Sequence, residues 1–392
     1  MIKLKISLVL NYFLIIFVSI ITSLYFFEVY LNVTSKQSDY KKIIQQYYNE
    51  TGKSYDERSK MKVFNDLKKI ENDIFVSMYP MAHLTVKDQS IFPLSGVSNV
   101  KSIHCNENGY YSKYKSDRYG FNNPDNEWNK DAIDLMLVGD SYTHGACVNR
   151  PNDIASGLRK ISNKSVLNLG FTGNGPLIEY ATLKEYLNKD VKKVIWIYYA
   201  GNDLQDLTRE LKNPILYRYL NPNFSQKLLL KQNEVNLINK KILSKLILDT
   251  KFDNLKKNSK LKYKILKFLQ LDKTKDKIKV LMLKKDHKLD NLEIFKIILQ
   301  NTKNLVLNNK SKLYFVYIPD FEIYRNKFYP KQHEEIIESL VKKMNIPFIN
   351  IHKELFSKKN DPLKYYPFKI RNHFTPEGYF EIAKTIFKEV NK

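Results

Sequence analysis

The sequence predicts an α/β fold built on a parallel sheet, preceded by an apolar helix and interrupted by a helical insertion. Three observations carry this. Short apolar runs alternate with helical patterns from Asp131 onward, the first 33 residues contain a long uncharged stretch, and a Lys-rich block at about 210–290 breaks the alternation. The apolar runs are Ile133–Val138 ("IDLMLV"), Ser165–Gly170, Lys193–Tyr199 ("KVIWIYY"), Lys312–Ile318 ("KLYFVYI") and Pro347–Ile351. Helical patterns fall at Asp153–Ile161, Pro176–Leu187, Leu292–Leu307 and His333–Met344, and a last one covers Pro376–Val390. Strands separated by helices pair in parallel, the crossovers cover both faces, and near-continuous apolar runs suit strands buried on both sides. Ligands of such sheets bind outside the carboxyl ends of the strands.

The N-terminal stretch justifies the leading helix. No charged residue occurs between Ile6 and Phe27 ("ISLVLNYFLIIFVSIITSLYFF"), which meets the roughly 20-residue length of a membrane-spanning helix. Lys3 and Lys5 stand ahead of it, as a cytoplasmic flank does. A cleaved signal peptide has an apolar core of only ~7–15 residues and a small-x-small site, and "YFFEVYLNVT" offers no such site. The expectation is an uncleaved single-pass anchor over 1–33, with the main domain on the extracytoplasmic side, periplasmic or extracellular. Lys41 and Lys42 run against that orientation, although large domains translocate largely regardless of charge.

Residues 34–130 read as a stalk and lead-in. The charged run "SDYKKIIQQYYNETGKSYDERSKMKVFNDLKKI" suits a helical stalk, and 91–130 is rich in turn signals such as "NENGYY" and "SDRYGFNNPDNEW". Within the latter, Arg118-Tyr-Gly-Phe-Asn reads as a short strand and turn leading into the sheet domain at 131–392. In the insertion Leu and Ile recur every three to four residues with Lys between them. That pattern predicts amphipathic helices packed on the core with Lys outward; a lid, or a face against anionic lipid or polysaccharide, is the functional alternative.

Charge narrows the partners. The 392 residues carry 65 Lys+Arg against 41 Asp+Glu, a net +24, which invites a nucleic-acid reading. Almost all of the excess is Lys, accompanied by many Asn, Ile and Tyr, as a compositional bias with a solvated surface would give. A translocated domain meets no cytosolic nucleic acid, so none is expected as partner. Cys105 and Cys147 have no metal-type spacing, and whether they pair or remain two small hydrophobes stays open. His333 in "HEEII" lacks the second His of a zinc motif. Neither metal nor cofactor is expected.

Four blocks carry chemistry. In "LMLVGDSYTHGACV" an apolar strand ends on Gly-Asp-Ser and presents Ser141 at its carboxyl end. A serine hydroxyl attacks only once a base takes its proton. "LNLGFTGNGP" ends a strand at Gly170 and sets Gly173 in a tight loop, where glycine lets backbone N–H face a ligand. "IWIYYAGNDL" delivers Asn202, whose amide suits an oxyanion or a helix N-cap. "RNHFTPEGYFEIA" places His373 just before the last helix, where a base for Ser141 could stand, with Thr375 as N-cap and Pro376 at its first position. His144, three residues after Ser141, suits packing on the following helix.

Ser, Gly, Asn and His, each in a loop of an α/β alternation and in this order, resemble the SGNH/GDSL hydrolase family over roughly Asp131 to Lys392. The resemblance implies a flavodoxin-like three-layer α/β/α sandwich and a serine esterase. Ser141 would be nucleophile and His373 base, with an oxyanion hole of Ser141 N–H, Gly173 N–H and Asn202. The fourth block departs from the pattern: the family places an aspartate two or three residues before the histidine, and here those positions are Arg371 and Ile370. Either His373 works in a dyad, or an acid arrives from elsewhere, with Asp320 a candidate on topological grounds. The expected substrate is an acyl ester, foremost O-acetyl on an envelope polysaccharide, by hydrolysis or acyl transfer. The alternative is a catalytically silent envelope protein that binds glycan or an assembly partner.

Overall fold

The computed structural model describes residues 2–33, 37–86, 89–257, 260–282, 289–325 and 332–392. Helix α1 (Ile2–Val33) is long and apolar enough to cross a membrane over Asn11–Leu31. The predicted stalk is two helices, α2 (Gln37–Thr51) and α3 (Lys60–Lys68). They are parted at Gly52, whose φ of +66° belongs to the left-handed region that ends helices.

The lead-in holds more regular structure than its turn signals suggest. Strands β1 (Ile74–Val76), β2 (Lys101–Ile103) and β3 (Lys113–Lys115) form a small sheet, β1 parallel to β2 and β2 antiparallel to β3. Of the short strand and turn expected at Arg118–Asn122, the turn is present, and the strand lies just ahead of it as β3. Asp117 Oδ1 accepts from the N–H groups of Tyr119 and Phe121, and Oδ2 from Asn123 Nδ2 and Trp128 Nε1. A buried carboxylate thus satisfies the backbone donors that a strand would offer to a neighbour.

The sheet domain follows the expected alternation: β4 (Ala132–Gly139), α4 (Ser141–His144), α5 (Ile154–Ser162), β5 (Val166–Asn168), α6 (Pro176–Tyr186), β6 (Asp190–Tyr199), α7 (Asp203–Glu210) and α8 (Pro214–Tyr217). The insertion supplies α9 (Gln232–Lys257), α10 (Lys260–Leu269) and α11 (Asp272–Met282). Then come α12 (Leu292–Asn308), β7 (Lys312–Ile318), α13 (Gln332–Lys343), β8 (Phe348–Asn350), α14 (Ile351–Glu354) and α15 (Pro376–Val390).

The five long-range strands pair in parallel in the order β5-β4-β6-β7-β8. Counted along the chain this is second-first-third-fourth-fifth, the flavodoxin-like order, whose switch point lies between β4 and β6. Alternate residues face opposite layers. Trp196, Tyr198, Phe315 and Tyr317 pack with Leu177 and Ala181 of α6, Phe295 and Ile298 of α12, and Ile337 of α13. Ile195, Ile197, Val316 and Ile318 pack with Ile154 and Leu158 of α5 and with Ile382 and Ile386 of α15. The result is a three-layer α/β/α sandwich, and each such side chain taken fully from water contributes roughly 1.5–3 kcal/mol.

Two units compose the chain: Thr51–Ile247 with Lys288–Lys392, and Met1–Glu50 with Leu248–His287. The first holds both sheets and the first part of α9, where Asn239 Nδ2 donates to Ser95 O and Leu243 joins a core with Val63 and Ile103. In the second, buried Glu28 of α1 accepts from the N–H groups of Lys273 and Thr274 in the first turn of α11, and Tyr25 donates to Leu269 O.

Candidate active site

The strand β4 ends at Gly139, where a side chain has no room: an added Cβ would lie 2.4 Å from Ile197 O of the neighbouring strand. Asp140 follows as N-cap of α4, accepting from Tyr142 N–H at 2.9 Å. Its carboxyl is fully buried, and that burial pushes its pKa up to about 6. Ser141 is thereby turned off the sheet end with 7% of its surface exposed.

His373 arrives from the loop ahead of α15. Thr375 caps that helix by accepting from Gly378 N–H, and Pro376 occupies its first turn, as the sequence suggests. Tyr142 packs 4.9 Å from the imidazole, ring to ring, and its hydroxyl donates to Asn372 O. The structure brings His373 Nε2 to 2.8 Å from Ser141 Oγ. Asp140 Oδ2 is a second, longer neighbour of that hydroxyl at 3.2 Å.

The acid on the other imidazole nitrogen is Glu107. Its Oε2 lies 2.9 Å from Nδ1 and also accepts the His373 backbone N–H at 2.7 Å. A carboxylate there accepts a hydrogen bond from Nδ1–H, which keeps the proton on Nδ1 and leaves Nε2 as the acceptor facing Ser141. Burial raises the Glu107 pKa, but the charge of His373 and its two hydrogen bonds outweigh this and hold it below the ordinary value. Burial lowers the His373 pKa, while Glu107, by charge and hydrogen bond, and then Asp140 lift it above the ordinary value.

Asp320 does not fill this place. It caps the short turn at Phe321–Tyr324, accepting from Glu322 N–H, and lies 3.8 Å from Arg371 Nη2. The arginine that replaces the expected aspartate before His373 therefore uses Asp320 as its own counter-charge. Sequence reasoning missed Glu107, which lies 266 residues before His373 in the "NENGYY" turn. The signal that could have found it is the cysteines. Cys105 and Cys147 form a disulfide, which draws Glu107, two residues beyond Cys105, toward the Ser141 segment.

Gly173 and Asn202 stand beyond the ends of β5 and β6, the two neighbours of β4 in the sheet. Gly173 has φ +78°, and an added Cβ would touch Met81 at 3.3 Å. Thr172 beside it is bonded to buried His104 Nε2 at 2.8 Å. Asn202 is the N-cap residue of α7 but makes no side-chain cap bond. Its Nδ2 donates to Asp206 Oδ2 at 2.6 Å, which engages one of two N–H groups. His144 is buried against His104 and Phe171 with Nδ1 on Gly170 O, a packing role. His333 is bonded to the hydroxyls of Tyr198 and Tyr317.

Among the described residues, Glu107, Cys147 and His373 form the one grouping with metal-like proximity. Its sulfur is tied up in the disulfide and offers no thiolate. Nucleophile, base and acid in line can activate a hydroxyl for attack on an acyl carbon.

The sequence matches no family model and no curated protein. Among solved structures the chain is similar to a lipolytic protein of the G-D-S-L family from Desulfitobacterium hafniense. The identity is 14% and the TM-score 0.37, over 66% of this chain and 99% of that one. It is also similar to a variant of an acetyl-xylooligosaccharide esterase from Geobacillus, at 14% identity and TM-score 0.34, over 66% of this chain and 94% of that one.

Proposed function

We propose that this chain is an SGNH/GDSL-type serine esterase whose triad is Ser141, His373 and Glu107. The observation that carries the reading is the unbroken line of contacts, 2.8 Å from Ser141 Oγ to His373 Nε2 and 2.9 Å from Nδ1 to Glu107 Oε2. Ser141 Oγ attacks the ester carbonyl carbon as its proton passes to Nε2. The carbonyl oxygen becomes an oxyanion, for which Ser141 N–H, Gly173 N–H and the second N–H of Asn202 Nδ2 are the donors. Collapse breaks the bond to the alcohol oxygen, which takes the proton from Nε2 and departs. Water, deprotonated by the same nitrogen, then attacks the acyl-serine, and the carboxylic acid leaves as Ser141 regains its proton. A sugar hydroxyl in place of that water makes the second half an acyl transfer. Glu107 stays ionised throughout and holds the imidazolium between the two steps.

The substrate we assign is an acyl ester at the cell envelope, foremost O-acetyl on polysaccharide. The apolar α1 supports a membrane anchor, and the Cys105–Cys147 disulfide suits an oxidising, extracytoplasmic compartment. The non-catalytic alternative took its motive from an imidazole without an acid; Glu107 at 2.9 Å removes that motive.

The test is covalent labelling of the full chain in detergent micelles with a fluorophosphonate, the adduct being located by peptide mass spectrometry. An adduct on Ser141 that disappears in His373→Ala is expected. Ser141→Ala should abolish turnover of acetyl esters with an unchanged melting transition. An unlabelled, folded protein would sink the esterase reading.

A further inference from the structure

We infer that the Cys105–Cys147 disulfide is a positioning link for the reaction, holding the Glu107 loop so that its carboxylate meets His373 Nδ1. The inference rests on the esterase reading above.

The hairpin that carries Glu107 is slight. Its strands β2 and β3 have three residues each, and pairing ends with His104 N–H to Ser112 O and Ser112 N–H to Cys105 O. Residues 106–111 form the loop beyond, with Glu107 second in it. Burial does not hold that side chain, since 23% of it is exposed. An acid that orients an imidazole must be kept within about 0.5 Å of its place, and a small surface loop does not supply this unaided.

Cys105 and Asn108, two residues before Glu107 and one after it, are both fastened to Cys147, while Asn106 Nδ2 donates to Asp56 O and Gly109 O accepts from Asp56 N–H. Cys105 is bonded to Cys147 through sulfur, and Asn108 Nδ2 donates to Cys147 O at 3.1 Å. Cys147 itself belongs to the segment of the nucleophile: α4 runs from Ser141 to His144, and Ala146 N–H returns to Ser141 O at 3.0 Å. Its Sγ lies 3.9 Å from His373 Nδ1, the nitrogen that Glu107 serves. The covalent link thus joins the acid's loop to the nucleophile's loop at the nitrogen between them. It also removes, in advance, the chain freedom that would let a segment 42 residues away drift from contact.

The experiment is a double-mutant cycle on the full chain in detergent micelles, read as turnover of a chromogenic acetyl ester against pH. One arm is the Cys105→Ala/Cys147→Ala variant; the other makes the same change in a Glu107→Gln background. Alanine is chosen because a serine at 147 would put a hydroxyl beside Nδ1. In the parent background kcat should fall about 10²-fold, the cost of a misplacement near 1 Å. The pH at which activity is lost on the acid side should also move down, as the imidazole loses its partner's charge. In the Glu107→Gln background the further loss should be under about twofold, since residues acting through one another are not additive. Equal losses in both backgrounds, an unshifted pH profile, or no loss in the parent would each overturn the inference and leave the bond a plain staple. If the alanine variant does not fold, the same profile is taken on parent protein reduced by a phosphine, with its melting transition recorded alongside. A parent without turnover or serine labelling marks failure of the esterase reading instead, and is seen before any variant is made.

Discussion

Ser141, Gly173 and Asn202 follow the carboxyl ends of three neighbouring strands, whereas Glu107 comes to His373 from a hairpin outside that sheet. The two regions hold their residues by different means. On the sheet side β4 and β6 are paired from Ala132 to Gly139, and Val194 through Tyr198 are fully buried. A residue just past such a strand moves only if the strand moves. On the hairpin side the strands are three residues long, and a disulfide with a few side-chain hydrogen bonds does the holding. Ser141 and the other residues proposed at the sheet ends inherit their places from the core; Glu107, the proposed acid, is fastened in by cross-links. Changes in the lead-in should therefore reach the chemistry through Glu107 and His373, and changes at the sheet ends through Ser141 and Asn202.

The strongest way to break this comparison is Glu107→Gln. If the hairpin is half of the active site, turnover should fall by about 10⁴, as when the acid of a serine triad is neutralised. The serine should still label slowly with a fluorophosphonate. A pH profile checks the cause. Only neutral His373 accepts the serine proton, so activity falls as pH drops through its pKa, which Glu107 helps hold above the ordinary value. Without the carboxylate's charge that inflection should move to lower pH. A loss of only a few-fold with an unmoved inflection would return the whole site to the sheet.

Asn202→Ala probes the other half with a smaller expected effect, about 10²–10³ in kcat. The side chain makes no cap bond to α7, so the helix should tolerate the change and KM should move little. A loss confined to stability would make Asn202 a structural partner of Asp206, to which it donates at 2.6 Å.

Reading these residues from the sequence alone succeeded and failed along the same division. The β-strand runs at Ile133–Val138, Lys193–Tyr199 and Lys312–Ile318 are periodic, apolar and punctuated by glycine, so the sheet and its carboxyl ends were legible. Ser141, Gly173 and Asn202 were legible as loop residues past apolar runs, and His373 as the residue ahead of the last helix. Glu107 was not, because its relation to His373 is set by tertiary folding and a cross-link, neither of which leaves a local period. The strands β2 and β3 are too short for periodicity to reveal. Arg118-Tyr-Gly-Phe-Asn shows its turn but holds no strand, because the organising group, Asp117, binds the backbone through its side chain. Asp320 does stand past the end of β7, but the short turn after it and Arg371 claim its carboxylate.

That last assignment gives the smallest and most discriminating prediction. Asp320→Asn keeps an acceptor for the Glu322 N–H, since asparagine caps as well as aspartate, and removes only the charge that faces Arg371. The guanidinium is about half exposed, with 53% of its side chain in solvent, and stands 3.8 Å away. Water reaches the guanidinium but not the carboxylate, which is 2% exposed, so the variant is judged by turnover and not by stability. Turnover should stay within a few-fold of the parent, and the acid-side inflection should not move. Set beside Glu107→Gln, this compares two carboxylates at one end of the sandwich, one touching Nδ1 and the other committed elsewhere. If Asp320→Asn were the variant that lost about 10⁴, the acid would reach His373 from the sheet, and the division of the site between sheet and hairpin would be wrong.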